Sequence, residues 1–332
     1  IWNEAFFSVF PFFSVFSVVL HASHPTLHVL PMKVTILGTG TSTGVPQLGC
    51  RCMVCTSNDP RDRRYRCSSL VEVPDDTAKD GVRRILIDCS PDFREQMLRI
   101  HFKPLDAIFI THEHYDHVGG LDDLRPFSVF GDIVVYAEPF CANHLRERIP
   151  YCFTPKEKRY PGVPAINLIE IEPHVPIVIR DEEKEPMSSA YLEDAVKMKR
   201  QQVWDELARM KALEGAVSHH DVSILPIRVM HGHLPIVGFR IDRFAYITDM
   251  KTIPDTELPL LDGVEYLIVN GLRHKKHPSH QSIEDAIDFA RRLGVKETWL
   301  VHMSHHIQPH AIEERNLPRG IHLAYDGEVI EF

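Results

Sequence analysis

The sequence lacks the excess of basic residues that would indicate a broad nucleic-acid-binding surface. Its 332 residues include 37 Lys and Arg against 46 Asp and Glu, for a formal net charge of −9. This balance gives no support for a surface that grips a polyanion over a whole face, although a local basic groove remains compatible with it. The composition therefore gives no strong signal for a nucleic-acid partner.

Cysteine is scarce and poorly placed for a disulfide framework. The seven cysteines are an odd number, and Cys50, Cys52 and Cys55 lie within one short stretch. Thiols this close in sequence cannot link distant parts of a chain, whereas a reduced compartment leaves them free to bind a metal. We therefore expect a cytoplasmic protein with a metal-bound cysteine cluster.

A clean apolar run long enough to cross a membrane is also missing. Residues 1–31 are mostly apolar and aromatic, but Pro11 interrupts them and no Lys or Arg precedes the apolar run. A membrane span needs about 20 apolar residues, and a secretory signal needs a basic start and a small-residue cleavage site. We expect Met32 to be the true start and 1–31 to be a translation artefact. A weak membrane anchor is the alternative; otherwise no membrane partner is expected.

From Met32 onward, short strands alternate with helices in two halves. Hydrophobic periodicity and turn residues predict strands at 34–37, 84–88, 107–111, 133–136, 223–229, 238–241, 244–248, 266–269 and 298–301. The same signals predict helices at 92–100, 139–148 and 281–293. This alternation favours an α/β sandwich, in which two sheets pack face to face with helices outside.

The segment 181–219 differs from both halves. It begins with the charged run DEEKEP, and residues 190–213 carry apolar side chains near helical spacing. We interpret it as a charged helical insert that packs on a single domain spanning 32–332. A lid or a homodimer contact is the alternative interpretation.

The strongest chemical signal is the sequence HEHYDH at 112–117. The strand that ends at Thr111 delivers His112, His114, Asp116 and His117 into one tight loop. Imidazole and carboxylate ligands suit zinc, iron or manganese. Two histidines separated by one residue can bind one metal, and the Asp-His pair just beyond can turn towards a second.

These residues carry a family resemblance. HEHYDHVGGLDDLRP is similar to the signature loop of the metallo-β-lactamase superfamily, and the chain from Met32 follows the motif order of that family. The resemblance implies a metallo-β-lactamase αββα sandwich with two mixed β-sheets flanked by helices. It also implies a hydrolase that holds two divalent metals, zinc or manganese, in its active site.

The resemblance also implies the remaining ligands. Asp88 resembles a carboxylate that braces the metal loop, and Asp249 resembles the carboxylate that bridges both metals. His231 resembles the next ligand, although His233 remains an alternative, and His302 resembles the last. The expected first metal site comprises His112, His114 and His231, and the second comprises Asp116, His117 and His302.

The cysteine cluster narrows the resemblance to a subfamily. A tetrahedral structural zinc needs a fourth ligand besides Cys50, Cys52 and Cys55. The similar PhnP-like phosphoribosyl cyclic phosphate phosphodiesterases have a histidine three residues after the last active-site ligand, and His305 occupies that position here. The resemblance therefore implies one structural zinc on these four side chains.

His280 resembles a subfamily histidine that lies near the second metal, just before the predicted helix 281–293. It would act as a general acid or hold a substrate phosphate. His277 and His274 are neighbouring alternatives, and an ordinary loop histidine is the simplest interpretation. Asp116 would orient the nucleophile.

Two metals about 3.5–4 Å apart can activate water and stabilise both oxygens of an in-line displacement. We therefore expect a phosphodiesterase acting on a small cyclic phosphate or nucleotide-like phosphodiester. A tRNase Z-like RNA 3′ endonuclease is one alternative. A non-catalytic metal-binding carrier of the same fold in coenzyme biosynthesis is another.

Overall fold

Short strands rich in buried residues account for most of the regular structure. The computed structural model describes residues 31–75, 78–154, 158, 162–179 and 222–332. The predicted insert at 181–219 lies outside the described residues, as does the predicted leader except for Pro31.

In the first half, the strands are β1 (Lys33–Gly38), β2 (Ser68–Pro74), β3 (Val82–Ile87), β4 (Ala107–Phe109), β5 (Ile133–Ala137) and β6 (Ile166–Glu170). They are followed by β7 (Ile177–Ile179), β8 (Val222–His231), β9 (Leu234–Ile241), β10 (Phe244–Ile247), β11 (Tyr266–Asn270), β12 (Glu297–Val301), β13 (Ile321–Leu323) and β14 (Glu328–Glu331). The α-helices are α1 (Phe93–Met97), α2 (Tyr115–Val118), α3 (Pro139–Arg148), α4 (Ile283–Leu293) and α5 (His310–Asn316). The 3₁₀ helices are Pro60–Asp62, Leu121–Phe130, Pro150–Phe153 and Leu258–Leu261.

The strands form two mixed sheets. Among the described residues, one sheet has the order β14-β1-β2-β3-β4-β5-β6 and the other the order β13-β12-β11-β10-β9-β8-β7. Strands β3 to β6 run parallel, and so do β10 to β13. The last strand returns to pair antiparallel with the first, with Val34 opposite Ile330.

The two sheets pack face to face through a buried apolar layer. Phe109 on β4 meets Phe239 on β9 with ring centroids 5.2 Å apart, and neither side chain is exposed. Each such side chain contributes roughly 1.5–3 kcal/mol by its burial. Further apolar clusters lie on the outer faces, beneath α3 on one sheet and α4 on the other. The predicted sandwich of two mixed sheets flanked by helices is confirmed.

Helix α4 has well-defined ends. Ser282 and Asp285 form a reciprocal capping box at its start, and Gly294 ends it in the left-handed conformation at φ 69°. Ile283, Ala286 and Phe289 are buried on one face. These caps fix the point where the preceding loop, which carries His280, enters the helix. Within the described ranges, none of the helices combines the length and the apolar character that crossing a bilayer requires.

Candidate metal centre

The candidate ligands lie at one edge of the sandwich, where parallel strands end. His112 follows β4, Asp249 follows β10 and His302 follows β12, while His231 is the last residue of β8. The carboxyl ends of parallel strands are the usual place for binding sites in α/β proteins. The topology therefore brings together side chains that lie far apart in sequence.

The ligand-capable atoms form two groups that share Asp249. One group comprises His112, His114, His231 and Asp249, and the other comprises Asp116, His117, Asp249 and His302. Within each group these atoms lie within 4.8 Å of one another. The structure thus brings together the side chains that the family resemblance assigns to each metal. His233 is exposed and belongs to neither group, so the geometry favours His231.

The second group is the more deeply buried. His117 Nε2 lies 3.3 Å from both Asp116 Oδ2 and Asp249 Oδ2. His302 Nε2 lies 3.1 Å from Asp249 Oδ1. Asp249 is 1 % exposed, and its position between the two groups is the one that a bridging carboxylate needs.

Asp88 braces this centre from behind, as expected. Its carboxylate accepts hydrogen bonds from the Thr111 backbone N–H at 2.9 Å and from His117 Nδ1 at 2.8 Å. Because Nδ1 carries the proton in that bond, the His117 Nε2 lone pair faces the centre. His231 Nδ1 donates in the same way to the Ser279 carbonyl at 2.8 Å, which leaves its Nε2 free.

The donor set fits divalent metals. His117 Nε2 is buried without a hydrogen-bond partner in suitable geometry, and such an atom is costly unless a ligand satisfies it. Imidazole nitrogens and carboxylate oxygens together suit zinc or manganese. Burial by itself would lower the pKa of His117, but Asp249, Asp116 and Asp88 raise it well above its usual value. These carboxylates favour positive charge at Nε2, either a proton in the metal-free chain or a metal ion that takes its place.

His280 faces the shared carboxylate. Its Nε2 lies 3.3 Å from Asp249 Oδ2, and its ring stacks on His302 with centroids 4.8 Å apart. Burial is the main cause that lowers the pKa of His280 to about 4, against the raising effect of Asp249. The imidazole is therefore neutral at pH 7. Because a carboxylate can only accept, the Nε2 atom carries the proton in this contact.

The two rival histidines have other surroundings. His277 lies behind His280, with the two Nδ1 atoms 3.1 Å apart. His274 instead bridges Glu284 and Glu313 at 2.6 and 2.9 Å. Of the three, His280 is the one that contacts a candidate metal ligand.

The cysteine cluster forms a third group with His305. The Sγ atoms of Cys50 and Cys52 lie 3.2 and 3.5 Å from His305 Nδ1, and Cys55 completes a set within 4.8 Å. Desolvation would raise the pKa of Cys52, but hydrogen bonds from Cys55, His305 and Cys50 lower it to about 6. Thiolate and imidazole donors in this number fit a tetrahedral structural zinc. Such a zinc would link the loop after β1 to the loop after β12.

Some structural features that support the metal centre have no recognisable pattern in the sequence. Arg148 Nη1 donates to the Glu113 carbonyl at 2.6 Å and so supports the HEHYDH loop from 35 residues away. Asp88, Asp249 and His302 each have a positive φ, at 60, 61 and 57°. Non-glycine residues pay about 1–3 kcal/mol for such conformations, and these tend to cluster at functional sites. The spacing of residues in the sequence reveals neither the Arg148 hydrogen bond nor the positive φ angles.

Two adjoining groups of histidines and carboxylates at the edge of an αββα sandwich are typical of a class of metal-dependent hydrolases. The sequence matches the Beta-lactamase superfamily domain over residues 83–188 and 185–303. The chain belongs to this superfamily, the metallo-β-lactamase superfamily, and within it resembles the PhnP family.

One solved structure of similar size is a new diphosphatase from the PhnP family. It is 34% identical, with a TM-score of 0.70, and the match covers 91% of this chain and 98% of that one. The Zn²⁺-bound PqqB from Methylobacterium extorquens shares the fold, with a TM-score of 0.59 and 19% identity over 90% of this chain and 100% of the other.

A protein from Porphyromonas gingivalis named octanoyltransferase is 40% identical over 297 residues. That match covers 89% of this chain and 51% of the relative. The chain thus spans about half the length of this curated relative.

Proposed function

We propose that this chain is a binuclear metal-dependent phosphodiesterase. Its substrate would be a small cyclic phosphate or a nucleotide-like phosphodiester, of the phosphoribosyl 1,2-cyclic phosphate type. The observation that carries the proposal is the pair of ligand groups sharing Asp249, with the proton-bearing Nε2 of His280 beside the shared carboxylate. This arrangement combines metal ligands with a hydrogen-bond donor for a phosphoryl oxygen of the substrate.

Each protein group has a separate task. His112, His114, His231 and Asp249 would hold one metal, and Asp116, His117, His302 and Asp249 the other. Two bound divalent metals supply an activated water and neutralise charge on the phosphoryl oxygens. Asp116 would orient the attacking water through its carboxylate. The neutral His280 would hold a phosphoryl oxygen of the substrate by a hydrogen bond from its Nε2–H, and Ser279 Oγ, 3.1 Å from its Nδ1, would hold the ring. The proton released by the attacking water would neutralise the leaving oxygen.

The PhnP-family diphosphatase supports a phosphorus-centred reaction. It is similar to this chain over nearly the full length of both. Its own name points to cleavage of a diphosphate, which also breaks a phosphorus–oxygen bond. The octanoyltransferase name belongs to a longer relative, and the match covers only 51% of that relative.

Hydrolysis assays on metal-loaded protein test the proposal. Zinc- and manganese-loaded chains should cleave bis(p-nitrophenyl) phosphate, and a panel of 1,2-cyclic phosphoribose, cyclic nucleotides, a dinucleoside diphosphate and pre-tRNA should identify the preferred class. Each chain should contain one structural zinc and two further divalent metal ions.

Two results would contradict the proposal. One bound zinc with no hydrolysis of any diester would favour the carrier alternative. Cleavage restricted to pre-tRNA 3′ trailers, with a steep dependence on salt, would favour the endonuclease.

We also propose a cytoplasmic location. Cys50, Cys52 and Cys55 are free thiols in the structure, and this cluster needs reduced thiols to bind zinc. Finding the oxidised, zinc-free chain in an extracytoplasmic fraction would contradict this.

A further inference from the structure

A cavity lined by arginines lies at the same edge of the sandwich as the metal centre. It is formed by the loop after β1, by residues 60–66, by Asp92 and Arg99, and by the turn at 325–326. Its volume is about 560 Å³, which lies within the usual range for small-molecule sites of roughly 300–1,000 Å³. None of the residues assigned above to metal binding or catalysis lines it.

The lining is strongly basic in an acidic protein. Five arginines contribute to it against two aspartates, although the whole chain carries a formal net charge of −9. The arginines are Arg61, Arg63, Arg64, Arg66 and Arg99. This concentration of one charge sign around a concave surface attracts anions.

The two aspartates already have partners. Asp92 pairs with Arg66 Nε at 3.1 Å. Asp326 is partly buried and accepts hydrogen bonds from the backbone N–H groups of Thr39 and Tyr65. Arg61 is paired with Asp59 at 2.7 Å, and the charge of Asp326 acts on the buried Arg64. Arg63 and Arg99 are therefore the lining arginines that have no opposing carboxylate among the described residues.

Two exposed arginines retain donors for a ligand. Arg63 has no ion pair and no side-chain hydrogen bond among the described residues. Arg99 lies over the Tyr65 ring, with its Cζ 4.6 Å from the centroid, and uses Nη2 to donate to the Tyr65 hydroxyl at 3.1 Å. The guanidinium group has five N–H donors, so most of those on Arg99 remain available.

Backbone pairing places the cavity next to the metal centre. Gly40 bridges to Arg66 on one side and to Met303 on the other, and Met303 directly follows His302. Neighbouring strands lie about 4.8 Å apart, which puts the Arg66 backbone roughly 10 Å from that of Met303. The cavity is thus a separate compartment within one small-molecule length of the candidate ligands.

We propose that this arginine-lined cavity binds the phosphate group of a phosphorylated small molecule. Arg63 and Arg99 would contact the phosphate, because guanidinium donors match phosphate oxygens bidentately. The rings of Tyr65 and Tyr325 would contact the organic part. The ligand is either the non-reacting end of the substrate or a separate effector, and both present the same phosphate chemistry.

Phosphate binding at this cavity is tested on a chain whose metal centre has been disabled by mutation. Inorganic phosphate and adenosine 5′-monophosphate are titrated calorimetrically into Asp249→Ala protein, which removes the shared metal ligand. We expect saturable binding of one equivalent. Adding Arg63→Gln and Arg99→Gln should weaken it by about tenfold or more, whereas Arg291→Gln, on the exposed surface of α4, should leave it unchanged.

Either of two results would overturn the proposal. One is the absence of saturable binding to the Asp249→Ala protein. The other is equal binding by the double arginine variant whose melting temperature matches its parent. Both are independent of hydrolysis, so failure here and failure of the phosphodiesterase proposal can be told apart.

Kinetics of the double arginine variant with Asp249 intact then identify the source of the phosphate. A raised KM with unchanged kcat for a diester substrate would assign the cavity to the distal end of the substrate. An unchanged KM, with the phosphate ligand still bound by the wild-type protein, would assign it to a separate effector.

Discussion

Asp249 belongs to both candidate ligand groups, and four histidines lie around its carboxylate. Its Oδ2 is 3.3 Å from His117 Nε2 and from His280 Nε2 and 3.7 Å from His112 Nε2, and its Oδ1 is 3.1 Å from His302 Nε2. Burial would raise the pKa of Asp249, but His302 and His117 lower it well below its usual value. The residue is therefore ionised at neutral pH, as a bridging ligand must be.

Replacing Asp249 should separate activity from folding. Asp249→Ala removes one donor from both groups, and we expect hydrolysis to fall by more than the ~10–100-fold typical of losing a contact behind a ligand. The side chain lies just beyond β10, so the strand ladder and far-ultraviolet circular dichroism should be retained. Diester hydrolysis per mole of protein is the measurement. Asp255→Ala, at an exposed carboxylate, is the control and should retain activity.

His274 should contribute stability that depends on pH. Burial would lower its pKa, but Glu284 and Glu313 raise it above the usual 6.5. A histidine with a raised folded pKa stabilises the fold below its unfolded pKa, and the contribution is lost as the pH rises through the folded pKa. His274→Gln should therefore reduce the free energy of unfolding at pH 6 by up to about 1 kcal/mol, since the His274 side chain is half exposed.

Urea unfolding at pH 6 and pH 9 checks this expectation. The variant and the wild type should converge at the higher pH. An equal loss at both pH values would mean that His274 acts by packing rather than by charge.

At the scale of helices and strands, the sequence predicted the elements whose ends and buried faces depend on nearby residues. Helix 139–148 and the helix near 281–293 carry their own caps or apolar faces, and both are present. Strand β2 was missed because Ser68 and Ser69 are buried beside Leu70 and Val71, which leaves no alternation to detect. Strands β13 and β14 were missed because three or four residues are too few for a period.

The helix predicted at 92–100 is shorter in the structure. It runs from Phe93 to Met97. The amphipathic pattern of the sequence, in contrast, continues to Ile100. Both Met97 and Ile100 pack on the same apolar cluster, so the periodicity cannot show where the helix ends.

Four of the candidate metal ligands were easier to predict because they lie in one contiguous stretch of sequence, HEHYDH. The arginine-lined cavity gave no signal because distant segments assemble it.

The loop between β1 and β2 should depend on its cysteine cluster. Cys52→Ala removes one of four donors that join this loop to the segment after β12, and we expect a lower melting temperature with most of the activity per folded molecule retained. Thermal unfolding and diester hydrolysis on the same preparation are the measurements. A stable but inactive Cys52→Ala protein, together with an unstable but active Asp249→Ala protein, would mean that the catalytic and structural sites have been interchanged.

For the whole molecule, metal binding should act as a link between the two sheets. His112, His114, Asp116 and His117 follow β4 of the first sheet, whereas His231, Asp249 and His302 lie at strand ends of the second. Ions bound between them favour the folded chain, by about 2.7 kcal/mol for a site at 100 times its Kd. Chelation should therefore lower the melting temperature, and added zinc or manganese should restore it.

The two kinds of site should contribute separately to this shift. Asp249→Ala should lose the manganese-dependent part and keep a zinc-dependent part from the thiolate cluster, since thiolates prefer zinc and carboxylates accept manganese. Cys52→Ala should show the opposite loss. Differential scanning calorimetry with and without each metal distinguishes them. If Asp249→Ala responded to manganese as fully as the wild type, the shared carboxylate would not join the sheets through metal, and the stabilising ion would have to bind elsewhere.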